Sequence, residues 1–174
     1  MLKMLEELYN NGGVPFLKGF SKNKIINITK GKRPNPEEYL PKDYIKKHLK
    51  KFEEEGIASR IISSEDYNDY GIGKPDLGKT EFVSSKSDID QILKLSAKEQ
   101  AIKLGKPIKQ ILKGELIRID FKLSKDVRVE IPSGNEWATN KHWIPGGILP
   151  DKNLEAIIKT EGLKENMHYT IKNL

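Results

Sequence analysis

A chain of 174 residues with 36% hydrophobic and 32% charged residues is long enough to bury a core and is expected to form a single domain, 1–174. It has no cysteine, which excludes disulfides, thiolate catalysis and cysteine metal sites, and no apolar run near 18 residues, which excludes a transmembrane helix. A net charge of +6 and a pI of about 9.3 favour polyanionic ligands, RNA, DNA, nucleotides or an acidic partner, although a bias toward Lys, Asn and Ile raises the pI as well.

Residues 1–11 carry Leu2, Leu5 and Leu8 on one face and read as a short helix ended by Asn10-Asn11-Gly12-Gly13. Met1-Leu2-Lys3 continues into acidic Glu6-Glu7, without the basic start, apolar centre and small-residue site of a signal peptide, so nothing in this stretch directs export by itself. Residues 14–36 read as irregular, with Ile25-Ile26-Asn27-Ile28 a candidate strand and Lys30 to Pro36 a basic loop; residues 1–35 are expected to be an N-terminal extension or linker to a core over 36–174.

The clearest helix runs from Lys42 to Glu55, with Ile45, Leu49 and Phe52 on one face and Gly56 as its stop. Its Lys46, Lys47, Lys50 and Lys51 would meet phosphate or simply solvate the outer face. A strand is expected over 57–63, a loop over 67–79, a strand over 80–84, a helix capped by Ser87, a second near 96–104 ending at Gly105, and a short turn over 107–112. From Glu115 the period becomes two. Ile117, Ile119 and Phe121 alternate with polar residues, as do Val127, Val129 and Ile131, and the short connection between the two runs fits a hairpin. Leu154 to Ile158 and His168 to Ile171 are further strands. The expected fold is α+β, with a helical N-terminal two-thirds packed on a small, mostly antiparallel sheet formed largely by the C-terminal third.

Residues 132–147 hold both tryptophans, three glycines and the polar Ser133, Asn135, Glu136, Thr139, Asn140 and His142. Loops of this content on a strand scaffold carry binding groups, and glycines let a backbone approach a ligand; two buried tryptophans pinning a structural loop would look the same. Glu155, at the start of a strand after a Gly-Gly loop, is the carboxylate best placed to face a cleft, with Glu136 its competitor. Arg60 and its rival Arg118, both on strands, suit phosphate recognition or ion pairing, and Lys74 and Lys79 bracket a Gly-rich loop without P-loop spacing. His142 near Glu136 and Lys141 is a candidate base for RNA cleavage. The three histidines show no metal-ligand spacing, so no metal is expected.

From Tyr39-Leu40-Pro41, through Leu116-Ile117-Arg118-Ile119-Asp120 and Ile131-Pro132-Ser133-Gly134-Asn135-Glu136, to Trp143-Ile144-Pro145-Gly146-Gly147 and Glu155-Ala156-Ile157, the chain resembles the C-terminal toxin domains of bacterial polymorphic toxins of the contact-dependent, Rhs and LXG types. The order Arg60, a Gly-rich turn over 71–82, paired strands, Pro145-Gly146-Gly147 and Glu155 is similar to that of the NAD-glycohydrolase toxins of the ADP-ribosyltransferase-like group; Lys79 stands at their second basic position and Glu155 where they carry glutamine. This resemblance implies an antibacterial effector, secreted or delivered as part of a larger protein, acting in the target-cell cytoplasm and neutralised by a cognate immunity protein. It implies NAD as substrate, not cofactor, with catalytic Glu155 and Arg60, and NAD contacts from Arg60, Lys79, Arg118, Ser133, Asn135, Gly146, Gly147 and a stacking Trp143. The competing expectations are a metal-independent ribonuclease using His142, Lys141, Glu136 and Arg128, and a non-enzymatic interaction module.

Overall fold

The computed structural model describes residues 1–73 and 78–174. The elements among them, in chain order, are α1 (Leu2–Asn10), α2 (Lys22–Asn27), α3 (Pro36–Tyr39), α4 (Lys42–Glu55), β1 (Ile57–Ser63), α5 (Ser64–Tyr70), β2 (Thr80–Ser85), α6 (Lys86–Leu93), α7 (Ala97–Leu104), α8 (Ile108–Leu112), β3 (Leu116–Lys122), β4 (Val129–Glu130), β5 (Glu155–Lys159) and β6 (Tyr169–Asn173). The strands form one antiparallel sheet in the order β4-β5-β2-β1-β3-β6. This is the α+β organisation the sequence implies, with four of the six strands after residue 115.

α4 organises one side of the sheet. Phe52 is fully buried among Ala58, Val83, Ile119, Phe121 and Ile158, with Leu49 beside it. Gly56, at φ +70°, takes the left-handed conformation that ends α4 and feeds β1 directly. A second cluster joins Val14, Ile25, Tyr39 and Leu40 to Phe82, Ile131, Trp143 and Ile157, so residues 14–40 pack against the loop 131–147. A third sets Ile89 and Ile92 of α6 on Ile61 and Leu116.

Several local expectations are corrected. The candidate strand at Ile25 is part of α2: Ser21 Oγ accepts a hydrogen bond from the Lys24 N–H and starts a helix that buries Ile25 completely. The start of the loop expected over 67–79 belongs instead to α5, which runs to Tyr70 and is capped by Ser63. Ser85, not Ser87, caps α6; the Ser87 N–H and hydroxyl both donate to the Glu55 carboxylate. The 115–131 hairpin does not form. Both edges of β3 are taken, by seven paired residues of β1 and five of β6, and β4 instead pairs with β5 through Val129↔Ile158.

α1 behaves differently from the rest. It has no buried residue, and Leu2, Leu5 and Leu8 all remain exposed. Packing therefore predicts opposite outcomes for two apolar truncations. Phe52→Ala should lower the free energy of unfolding by about 3–5 kcal/mol, whereas Leu5→Ala should change it by less than about 0.5 kcal/mol, as read by urea denaturation.

Candidate functional site

The antiparallel register carries a polar row across the centre of the sheet. Asp120 of β3 lies opposite Ser59 of β1, Ser59 opposite Ser84 of β2, and Ser84 opposite Glu155 of β5. Directly opposed residues share a face, so four polar side chains cross four strands in line. At one end the row is closed by hydrogen bonds: Ser59 Oγ donates to Asp120 at 2.6 Å, and buried Arg118 donates to Asp120 at 2.8 Å, to Asp90 at 2.6 Å and to Ser59 at 3.3 Å. At the other end Glu155 has a half-buried carboxylate for which the described residues provide no hydrogen bond or ion pair.

The backbone of Glu155 is held on both sides. Its N–H donates to the Gly147 carbonyl at 2.8 Å, and its carbonyl lies 2.8 Å from His48 Nε2. A carbonyl only accepts, so the buried His48 carries its proton on Nε2. Burial holds the His48 pKa below its usual 6.5, opposed in part by this hydrogen bond, and the ring is neutral at pH 7. Tyr44, one turn earlier on α4, donates from its hydroxyl to the Gly146 carbonyl at 2.6 Å. Gly147 sits at φ +69°, and a Cβ there would lie 2.7 Å from His48 Cε1 and 2.8 Å from the Glu155 carbonyl. The glycine pair is therefore where α4 grips the entry to β5.

Glu155 opens into a cleft made of two adjoining cavities of about 190 and 520 Å³, which share Arg60, Phe82, Asn140, His142, Leu149 and Glu155. Across from Glu155, the corner between α7 and α8 supplies Lys103, Leu104, Gly105 and Lys106. Burial pushes the Glu155 carboxyl up from its ordinary 4.5 to about 7; attraction to Arg60 offsets part of that rise and repulsion from Glu136 adds to it. Arg60 is tethered from behind. Its Nε lies 3.1 Å from Glu81 Oε1 without hydrogen-bond alignment, and Glu81 Oε2 accepts from the Gly73 N–H.

Three of the four residues singled out as catalytic in the sequence, Glu155, Arg60 and His142, thus line one cleft. Glu136 does not. Its two oxygens accept from the Ser133 N–H and hydroxyl, the Gly134 N–H and the Thr139 hydroxyl, which folds the loop upon itself. Ser133, Asn135 and Glu136 line a separate groove of about 460 Å³. Asn135 is occupied by the backbone of Gly31 and Arg33. Trp143 borders the smaller cavity, but the Arg33 guanidinium lies 4.7 Å from its ring centre and Gly134 packs against the ring, leaving 7% of the residue exposed. It pins the loop to the N-terminal segment more than it offers a stacking surface. Gly146 and Gly147 act through the packing just described. Lys79 pairs with Glu161 at 2.8 Å, away from the cleft, and Arg118 is consumed by its own network. Lys74 lies outside the described residues.

Sequence reasoning missed His48, Lys103 and Lys106. The spacing of Tyr44, His48 and Phe52 at i, i+4 and i+8, with ring centroids 6.0 Å apart, is the signal that would have placed His48 on an inward stripe. Nothing local marks the two lysines. Among the described residues no His, Asp or Glu group is arranged to hold a metal, and no helix is long and apolar enough to cross a membrane. No protein-family model, curated protein or solved structure matches the chain.

The raised Glu155 pKa fixes a pH signature. A carboxyl that is harder to ionise when folded contributes stability fully below pH 4.5 and loses it as pH rises to about 7. Glu155→Gln removes that loss. The variant should gain stability over wild type progressively between pH 4.5 and 7, reaching on the order of 2 kcal/mol at pH 8 once solvent at the open side of the carboxyl is allowed for; urea titrations at pH 5 and pH 8 read the difference.

Proposed function

We propose that the cleft is the active site of an effector domain that cleaves NAD at the nicotinamide–ribose bond. One observation carries this reading: Glu155, a carboxylate for which the described residues provide no hydrogen bond or ion pair, stands on a strand start held at both peptide groups, beside Arg60 in a cleft of dinucleotide scale. The reaction breaks the bond between ribose C1′ and the nicotinamide nitrogen. The electron pair leaves with nicotinamide, positive charge develops on the ribose, and water or another nucleophile adds at C1′ and loses a proton. A carboxylate aimed at that charge stabilises the transition state, most strongly where water is scarce. Glu155 would also accept a hydrogen bond from a ribose hydroxyl, with Arg60 toward phosphate. An enzyme of this kind destroys its maker's NAD as readily as a target's, so the reading extends to a toxin delivered into a target cell and restrained at home by an immunity protein.

A ribonuclease is the second reading, supported by His142 lining the same cleft as Glu155. One group would take the ribose 2′-hydroxyl proton and the other would protonate the departing 5′ oxygen. Of the set expected for that chemistry, Arg128 borders a different cavity and Glu136 is bonded within its loop.

Incubation of the purified protein with NAD and with tRNA in parallel separates the two. We expect NAD loss with intact RNA, a decrease of about 10²–10³-fold in Glu155→Ala, and a rate that climbs with pH through about 7 as the carboxyl ionises. Stable NAD together with RNA cleavage that stops in His142→Ala would reverse the order of the readings.

A further inference from the structure

The apolar face of α1 is left in solvent. At 100° per residue, Met4, Leu8, Leu5, Tyr9 and Leu2 fall in one arc of about 160°, with Glu6 and Glu7 at its two borders and Lys3 at its back. None of them is buried, and Leu2 and Leu5 are 84% and 57% exposed. A helix of nine residues is marginal in water by itself, so a face of this kind calls for a surface to lie on.

The rim of the Glu155 cleft lies at the root of this helix. α1 runs out into Gly12 and Gly13, at φ +68° and +84°, with open space around both positions. Glycines in such a conformation turn at little steric cost. Val14, the next residue, is fully buried and packs on Gly146, where a Cβ would lie 2.8 Å from Val14 Cγ2. From the other side, Lys152 Nζ donates to the Gly12 carbonyl at 3.4 Å. Between these two anchors Ile148, Leu149 and Pro150 line the smaller cavity. The turn is thus fixed to the loop that borders the cleft, and Pro150 is no more than about 7 Å of chain from Lys152. α1 is about 13 Å long, against about 8 Å for the width of a compact cavity of 520 Å³. At its root the Lys22 N–H donates to Asn11 Oδ1 at 2.9 Å, a single bond that must open for the helix to swing.

We infer that α1 is a lid: it swings about Gly12-Gly13 and lays the face of Leu2, Leu5 and Leu8 across the mouth of the cleft, over the rim at Leu149 and Pro150. The position described is the open one, since no residue of α1 lines either cavity. Glu6 and Glu7 would come down beside a rim that carries exposed Lys141 and Lys152. Closure shelters the cleft from water while charge develops in it, and opening admits substrate and releases product. That consequence rests on the reading of the cleft as a substrate site; the swing itself does not.

The chain has no cysteine, so an introduced disulfide can report the swing. In the intact protein, Leu5→Cys with Pro150→Cys should close an intramolecular disulfide under mild oxidation at least about tenfold faster than Lys3→Cys with Pro150→Cys, because Lys3 stands on the back of the helix. Adding Leu2→Ser and Leu8→Ser to the first pair should slow closure severalfold and leave the urea midpoint unchanged. The oxidised first pair should lose at least about tenfold of the turnover that the reduced protein shows, with NAD or with tRNA, and recover it on reduction. Equal rates in the two pairs, disulfides that form only between molecules, or unchanged closure after the serine substitutions would overturn the lid, as would full turnover in the oxidised pair. Selective closure in a protein that, when reduced, leaves both NAD and RNA intact would keep the lid and remove the reading of the cleft as an active site.

Discussion

The candidate site depends on how the backbone of Glu155 is fixed while the described residues give its carboxylate no hydrogen bond or ion pair. The Gly147 carbonyl and the His48 imidazole hold the peptide groups on either side of one residue, each at 2.8 Å. Both anchors trace to α4, because His48 is in that helix and Tyr44 beside it holds Gly146. α4 is itself locked by Phe52 in the main core. Rigidity is thereby transmitted from a buried aromatic ring to a carboxylate at the edge of a cleft. The carboxylate pays for its position by desolvation that attraction to Arg60 offsets only in part, which is what moves its pKa toward neutrality.

The polar row shows the same physics resolved in two ways. At Asp120 the charge is satisfied by Arg118 and Ser59, and Arg118 reaches on to Asp90 of α6, so this end is structural. At Glu155 the arginine whose charge acts on it, Arg60, is paired with Glu81, and the carboxyl borders the cleft. A buried network with every member paired rigidifies a fold; a desolvated carboxyl facing a cavity keeps a raised pKa, which marks it as a candidate functional group. Charge on the cavity wall follows the same division, with the acid on the sheet and the lysines on the helical corner.

The sequence carried α4, the alternation of β3 and the start of β5 plainly, because each has a strong period and a clear stop such as Gly56. It carried Glu155 and Arg60 as well, since both punctuate otherwise apolar strands. The partners of the strands were not legible: Lys122 to Asp126 is short enough for a hairpin, yet β3 spends its edges on β1 and β6, a choice made by contacts distant in the chain. Glu136 and Trp143 misled for a related reason. Their residue types signal binding, but the first satisfies the amides of its own loop and the second is covered by Arg33, 110 positions earlier in the chain. Lys103 and Lys106 gave no local sign, because only the turn at Gly105 and the packing of α6 and α7 on the sheet bring them opposite Glu155.

The carboxyl of Glu155 can be observed directly. In protein labelled with ¹³C at glutamate side-chain carboxyls, the resonance that disappears in Glu155→Gln belongs to this residue, and its chemical shift can be followed with pH. A midpoint near 7 is predicted for a desolvated carboxyl facing the cleft. A midpoint near 4.5, alongside the surface glutamates, would mean that the group is solvated or paired in solution, and would contradict the account of Glu155 as a desolvated carboxyl facing the cleft.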